Sequence, residues 1–220
     1  MISIIIPCLN EEDNIGTLIH SLKKWHSEIE VIVVDGGSND NTVAIAKPLA
    51  DQFIEATSGR ANQLNKGAEQ AKGELLWFIH ADTIIPKTAF MQLIKIQTQK
   101  NLWGRFDVYL SGQHWAFRMI EFMMNQRSRL TGIATGDQGI FINHQLFKEI
   151  GGFPNLKLME DIEISTRLKK VCPPLCLKQK IITSSRRWQE NGIFKTILKM
   201  WWFRLSWFFG ANDQKLQEKY

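Results

Sequence analysis

Apolar positions along the chain follow two spacings, one of strands and one of helices. The run Ile2 to Ile6 is continuous, β-branched and halted by Pro7, which predicts a strand buried on both faces. Behind it, Ile15, Leu18, Ile19 and Leu22 recur at helical spacing after an acidic first turn of Glu11, Glu12 and Asp13, with Asn10 placed to cap that helix. The same alternation returns in "EVIVVDGGSNDNT": a strand over 30–34, a turn-rich loop, and a helix over about 42–50. "FIEAT" reads as a third strand, "SGRAN" as a loop and "QLNKGAEQA" as a helix. "ELLWFIH" reads as a fourth strand, and Pro86 suits the first turn of the helix after it.

This alternation predicts an α/β fold, Rossmann-like, with a mainly parallel central sheet and helices on both faces. Ligands of such sheets bind beyond the carboxyl ends of the strands. Here those ends are residues 7–11, 35–40, 58–62 and 80–83, so their polar residues are expected to converge. Past residue 100 the rhythm loosens. "WGRFDVYL" reads as a strand, His114 to Arg129 as an amphipathic helix and "GIFIN" as a short strand. "EDIEISTRLKKV" reads as a helix stopped by Pro173 and Pro174. In "IFKTILKMWWFRLSWFFG", Lys195, Lys199 and Arg204 interrupt an aromatic run. That pattern predicts a helix lying in a membrane interface rather than spanning it, with packing on the domain or a dimer contact as the alternative.

With 220 residues and 44% hydrophobic content, the chain can bury one sizeable core. A net charge of +5 and a pI near 9.1 favour anionic partners. Nucleic acid is disfavoured among them, because the basic residues gather near the C-terminal aromatic helix and not along a recognition element. Cys8, Cys172 and Cys176 are odd in number and form no CxxC pair, which fits a reducing compartment and not structural zinc. The chain enters "ISIIIP" without a basic n-region or cleavage site, so a cytoplasmic location is expected.

The candidate chemistry sits at the strand ends. No GxGxxG follows the first strand, where the chain reads "PCLNEEDN", and no Walker lysine loop is present. Asp35 could accept from a pyrimidine imide or a ribose hydroxyl beside the permissive Gly36 and Gly37, or "DGGSND" could be only a turn. Arg60 and Asn65 flank a strand-to-helix loop, where a cation and helix N–H groups can meet a diphosphate. "LLWFIHADT" delivers Asp82 from a strand tip, as a metal ligand would be. Asp137, between glycines in "TGDQG", is either a ligand contact or an Asx turn. Glu160 and Asp161 open a helix, as caps or as a general base, and a base acting in a concerted transfer needs only an ordinary carboxylate pKa. Arg186 and Arg187, which Trp188 could fix by stacking, could neutralise a leaving diphosphate or bind lipid phosphates.

Taken in order, "SIIIPCLNEEDNI", "VIVVDGGSNDNT", "GRANQLNKGA", "LLWFIHADT", "GGFP", "MEDIEISTRL" and "SSRRW" resemble the family 2 glycosyltransferases of GT-A fold. Within that family the chain looks most like a small bacterial group associated with radical-SAM and selenium-related neighbours. The resemblance implies a transferase domain over 1–190, with a nucleotide-binding half to about 100 and an acceptor-side half from 101. Beyond the resemblance, the aromatic and basic pattern of the amphipathic segment over 191–220 leads us to expect a peripheral position at the inner face of the cytoplasmic membrane. The resemblance implies inverting transfer from a nucleotide-sugar donor, UDP-linked by preference, to a hydroxyl acceptor that the C-terminal helix suggests is lipid-linked. Mn2+ or Mg2+ would sit on the diphosphate.

In the terms of this resemblance, Pro7, Leu9, Asn10 and Glu11 line the nucleoside pocket and Asp35 contacts base or ribose. Gly36 stands where many relatives carry a second acid, which leaves the nucleobase open. Arg60, Asn65, His80, Ala81 and Arg187 belong to the donor site, and "HAD" stands for the family's DxD, with Asp82 and then His80 as metal ligands. Asp161, with Glu160 beside it, is the catalytic base. Asp137 and Trp188 lie toward the acceptor. "RRW" resembles an element of processive synthases, but Ser184 stands where glutamine or arginine is usual, so polymerisation is not implied. Two competing readings are a nucleotidyltransferase, against which stands the missing glycine- and arginine-rich loop after strand one, and a non-catalytic, membrane-docked nucleotide-sugar-binding protein, for which stands the single acid of "HADT".

Overall fold

The structure, a computed structural model, describes residues 1–25 and 29–210, with the side chains of Trp25 and Arg187 outside the described set. Its first half follows the alternation: β1 (Ile2–Cys8), α1 (Ile15–Trp25), β2 (Ile29–Asp35), α2 (Thr42–Ala46), β3 (Gln52–Glu55), α3 (Arg60–Gln70), β4 (Leu75–Phe78) and α4 (Lys87–Ile96). β1 lies between β2 and β4, and β2 pairs with β3, all in parallel. Alternate residues of each strand feed different cores. Ile2, Ile4, Ile6, Val31 and Val33 pack with α1 and α4, whereas Ile5, Ile32 and Val34 pack with Ala61, Leu64 and Ala68 of α3. Cover on both faces is why these strands read as unbroken apolar runs.

Several boundaries differ from expectation. Pro7 lies within β1 and not past its end, which is tolerated because the ladder to β4 covers only Ile2 to Ile5. Asn10 caps no helix; it adopts φ 55°, and α1 begins five residues later. α2 is five residues long, and the helix expected from 63 starts at Arg60.

The second half comprises β5 (Trp103–Leu110), α5 (Trp115–Thr131), a single 3-10 turn (Gly136–Gln138), β6 (Phe141–Asn143), α6 (His144–Glu149), α7 (Glu160–Val171), β7 (Leu175–Thr183), α8 (Arg186–Asn191) and α9 (Ile193–Phe208). The sheet order is β3-β2-β1-β4-β6-β5-β7, with β6 antiparallel to both neighbours and β7 parallel to β5. β7 was hidden from the sequence because Lys178, Gln179 and Lys180 interrupt its apolar residues, as suits an edge strand. Gly104 lets β7 approach: a Cβ there would lie 2.1 Å from the Leu175 carbonyl oxygen and 2.6 Å from the Phe141 ring. Gly104→Ala is therefore expected to destabilise by roughly 2–3 kcal/mol, seen as a lower urea midpoint at unchanged slope. An unchanged midpoint would contradict this packing.

α9 turns one side inward. Phe203 and Thr196 are buried; Phe203, Met200 and Trp207 pack on Leu158 and Met159, and Ile193 and Ile197 pack on Leu110 and Phe117. The other side leaves Phe194, Leu198, Trp201, Leu205 and Phe208 exposed. Among the described residues no helix is long and apolar enough to cross a membrane.

Candidate active site

The carboxyl ends of β1 and β2 are tied together before they can meet a ligand. The Asn10 amide donates to Ser38 Oγ (2.9 Å), its Oδ1 accepts from the Asn39 amide (2.9 Å), and the Glu11 amide donates to Thr42 Oγ1 (2.7 Å). Asp35 belongs to this framework. Its carboxylate is 2% exposed and accepts from the Gly37 and Ser38 amides (2.8 and 2.9 Å) and from Ser38 Oγ (2.5 Å). The side chain expected at base or ribose thus shapes the loop and lines none of the cavities described below. Gly36 is there for space, since a Cβ would come within 3.0 Å of Gln63. Gln63, which the sequence did not mark, donates to the carbonyls of Cys8 (2.9 Å) and Val34 (2.8 Å) and so locks α3 to both strands.

Asn65 also proves to be a fastener. Its Nδ2 donates to the Phe153 carbonyl (2.8 Å) and its Oδ1 accepts from the Phe153 amide (2.9 Å), binding α3 to the "GGFP" turn and leaving no part of the amide aimed at a diphosphate.

Beyond the strand ends lies a cleft of about 340 Å3. Arg60, His80 and Asp82 line one side, and Asp137, Asp161 and Trp188 are also in its wall. A second recess of about 190 Å3 shares Arg60, His80 and Asp82 and adds Pro7, Leu9, Glu11 and Ala81. Ten of the anticipated residues therefore surround one continuous space. Arg187 falls outside the described side chains, but its neighbour Arg186 lines the cleft and sits 3.9 Å from Glu11. Burial raises the Glu11 pKa, and Asp82 adds to the rise. Cys8 borders the smaller recess, yet burial and Asp35 push its thiol up to about 12, which makes it a poor nucleophile.

Two adjacent acids are sent in different directions. Met159 takes a left-handed conformation (φ 69°) at the start of α7. Glu160 is 1% exposed and paired with Arg60 Nε. Burial raises its pKa against the pull of Arg60. Burial works against the Arg60 charge, but Glu160 and then Asp161 outweigh it, so its pKa is raised and it remains a cation. Glu160 is not in the wall of the main cleft; it is paired with Arg60, which is, while Asp161 lies in that wall. Asp161 faces the cleft, with Oδ2 accepting from the Gly136 amide (3.0 Å) and Oδ1 from the Ile162 amide (2.8 Å). Both carboxylate oxygens are oriented by backbone, which fixes the group without neutralising it.

Among the described residues no group of three or more His, Cys, Asp or Glu side chains converges as a cage for a metal ion. A hard divalent cation on a diphosphate needs no such cage, because it takes one or two protein ligands and completes its shell with phosphate and water. Asp82 and His80, one carboxylate and one imidazole on the same wall, fit that role. Gly136 makes room for the imidazole: a Cβ on it would lie 2.7 Å from His80 Nε2.

A mainly parallel sheet with an acidic, metal-suited cleft at its carboxyl edge, closed by antiparallel β6 and an acid-bearing helix, is the arrangement of the GT-A transferases. Residues 3–151 match the model of glycosyl transferase family 2, and the chain belongs to that family. It is 31% identical over 147 residues to the uncharacterized glycosyltransferase YibD of Escherichia coli K12, covering 61% of this chain and 41% of YibD. The solved structure of S. aureus TarS 1–349 in complex with UDP superposes with a TM-score of 0.68 at 24% identity, covering 83% of this chain and 60% of that one. A mannosyltransferase from Pyrobaculum calidifontis, PcManGT, in complex with GDP-Man and Mn2+, gives 0.64 at 21% identity, covering 82% and 56%. The chain thus spans less than two thirds of the length of these relatives.

Proposed function

We propose that the chain transfers a sugar from a nucleoside-diphosphate donor, UDP-linked by preference, to an acceptor hydroxyl with inversion at the anomeric carbon. The observation that carries this reading is Asp161, held by two backbone amides on the wall of a cleft whose other side carries Arg60, His80 and Asp82. UDP in the TarS structure and GDP-Man with Mn2+ in PcManGT support a nucleotide-sugar donor and a divalent ion.

In this mechanism the nucleoside occupies the recess beside Pro7, Leu9 and Glu11, and its diphosphate lies toward Arg60. The guanidinium of Arg60, kept charged and oriented by Glu160, faces the charge that grows on the leaving diphosphate. A Mn2+ or Mg2+ held by Asp82 and His80 would add Lewis-acid neutralisation of the same charge. The acceptor oxygen attacks the anomeric carbon from the face opposite the diphosphate. Its proton passes to the Asp161 carboxylate as the new C–O bond forms, and the electrons of the broken C–O bond leave with the diphosphate. Because this is a single displacement, the anomeric configuration inverts.

The exposed aromatic side of α9 and the basic balance of the chain support a peripheral site on the cytoplasmic membrane face and a lipid-linked acceptor. The motif resemblance further supports membership of the small bacterial subgroup named for its radical-SAM neighbours. Ligand-induced stabilisation tests the donor reading. UDP with Mn2+ at about 100 times its dissociation constant should stabilise the chain by about 2.7 kcal/mol. No shift with any nucleoside diphosphate would remove the reading. Replacing Trp201 and Phe208 together by Ser should weaken sedimentation with phosphatidylglycerol vesicles about tenfold or more. Unchanged sedimentation would sever α9 from the membrane.

A further inference from the structure

Two arginines at the far end of the cleft, Arg204 in its wall and Arg127 nearby on α5, are not used by the mechanism above. Arg204, on the inward side of α9, lines the cavity together with Thr196 and Met200. Arg127 is on α5, one turn beyond Met124, which is also in the wall. The neighbouring cations are matched. Arg118 pairs with Glu121 (2.7 Å), Arg129 pairs with Asp107 (2.7 Å), and Arg105 pairs with the same Asp107. Arg127 is not matched in this way: its Nε and Nη2 are buried without a hydrogen-bond partner. Neither Arg127 nor Arg204 is in an ion pair among the described residues.

Neither arginine lines the recess beside Pro7, Leu9 and Glu11. The acids acting on both Arg127 and Arg204 are Asp161 and Asp137, which act on Arg60 as well. The two cations also act on each other at Arg127: burial first, and then Arg204, bring the Arg127 pKa down to about 10. Burial likewise lowers that of Arg204. Two partly desolvated like charges without a matching anion are unfavourable, and an oxyanion entering the cleft would relieve both the repulsion and the unmet donors.

We propose that Arg204 and Arg127 form an anion subsite for a phosphate carried by the acceptor, placed beside Asp161 and away from the nucleotide loops. The inference rests on the glycosyl-transfer reading for the word acceptor, but not for the subsite itself. Arg204 makes the direct contact from the cavity wall, and Arg127 supplies the second charge behind it. The same chemistry serves a soluble phosphate ester or a lipid phosphate whose chain runs out along the exposed side of α9.

The test is a titration of the full chain, with and without saturating UDP and Mn2+, using two probes: phenyl phosphate in solution, and dodecyl phosphate carried in phosphatidylcholine vesicles. Wild type should bind at least one probe with UDP present, and Arg204→Gln should weaken that binding about tenfold or more while leaving UDP affinity unchanged. Arg204→Lys should retain most of it. Arg127→Gln should weaken it too where its melt shows a folded chain; Arg204→Gln, in the cleft wall, carries the test on its own. Preference for the vesicle probe identifies a lipid source, and equal binding identifies a soluble one. Binding of neither probe by wild type, equal binding by Arg204→Gln, or a parallel loss of UDP affinity in that variant would each overturn the subsite. If wild type binds a phosphate probe through Arg204 yet binds no nucleotide, the subsite stands and the donor reading falls.

Discussion

Asp161→Asn is expected to lower the rate of sugar transfer by about 10^2–10^4-fold while leaving UDP affinity as in the wild type. The amide keeps the shape of the carboxylate, and its oxygen can still accept from the Gly136 amide at the 3.0 Å contact, which holds the loop, while the local bond from the Ile162 amide is given up. What it loses is the capacity to receive a proton from the attacking hydroxyl. The effect should therefore fall on kcat, with little change in KM for the donor. Turnover within a few fold of wild type would remove Asp161 as the base. Glu160→Gln gives a different signature, because Glu160 is buried against Arg60 and meets no acceptor.

Arg60→Met should affect both stability and donor binding. Deleting Arg60 leaves a carboxylate that is 1% exposed without its counter-ion. Breaking such a pair is expected to destabilise the chain by roughly 3 kcal/mol, the low end of the range for buried pairs, because 35% of the Arg60 side chain meets solvent. The pH dependence has a definite sign. Burial already holds the Glu160 pKa above its unfolded value, and Arg60 is the group pulling it down. Without Arg60 it rises further, so the folded variant takes up a proton more readily than its unfolded chain. A group raised in this way contributes stability below its unfolded pKa and loses it as pH rises through the folded one. The deficit of Arg60→Met relative to wild type should accordingly be largest near about pH 8 and shrink toward about pH 5. A deficit that grows on acidification would contradict the pairing of Glu160 with Arg60.

The sequence revealed most about the parts governed by local periodicity. β5 and α7 lie where their residues predicted, and β1, β2 and β4 fell within two residues of their expected ends because strands covered on both faces have unmistakable apolar runs. β7 was missed because its edge position admits lysines, and α6 because it spans only six residues. At the site, the convergence of Glu11, Arg60, His80, Asp82 and Asp161 was legible, since strand ends of a parallel sheet must share an edge. The different surroundings of Glu160 and Asp161 were not, because they depend on the left-handed Met159 and on which side chain meets Arg60 across 100 residues. For the same reason Asp35 and Asn65 read as ligands, whereas their polar atoms are hydrogen-bonded within the loops they hold. Arg127 drew no notice in the sequence and Arg204 read as a basic residue of an interfacial helix; the packing of α9 over the cleft brings them together.

The central claim is that this cleft breaks the sugar–diphosphate bond of a nucleotide sugar with Asp161 as base. Phosphorus NMR of a panel of UDP-sugars incubated with the chain and Mn2+, with water standing in for the acceptor, tests it most directly. The account predicts slow release of the intact nucleoside diphosphate by wild type and its loss in Asp161→Asn. Release of UMP with the sugar 1-phosphate, or equal release by the variant, would contradict it.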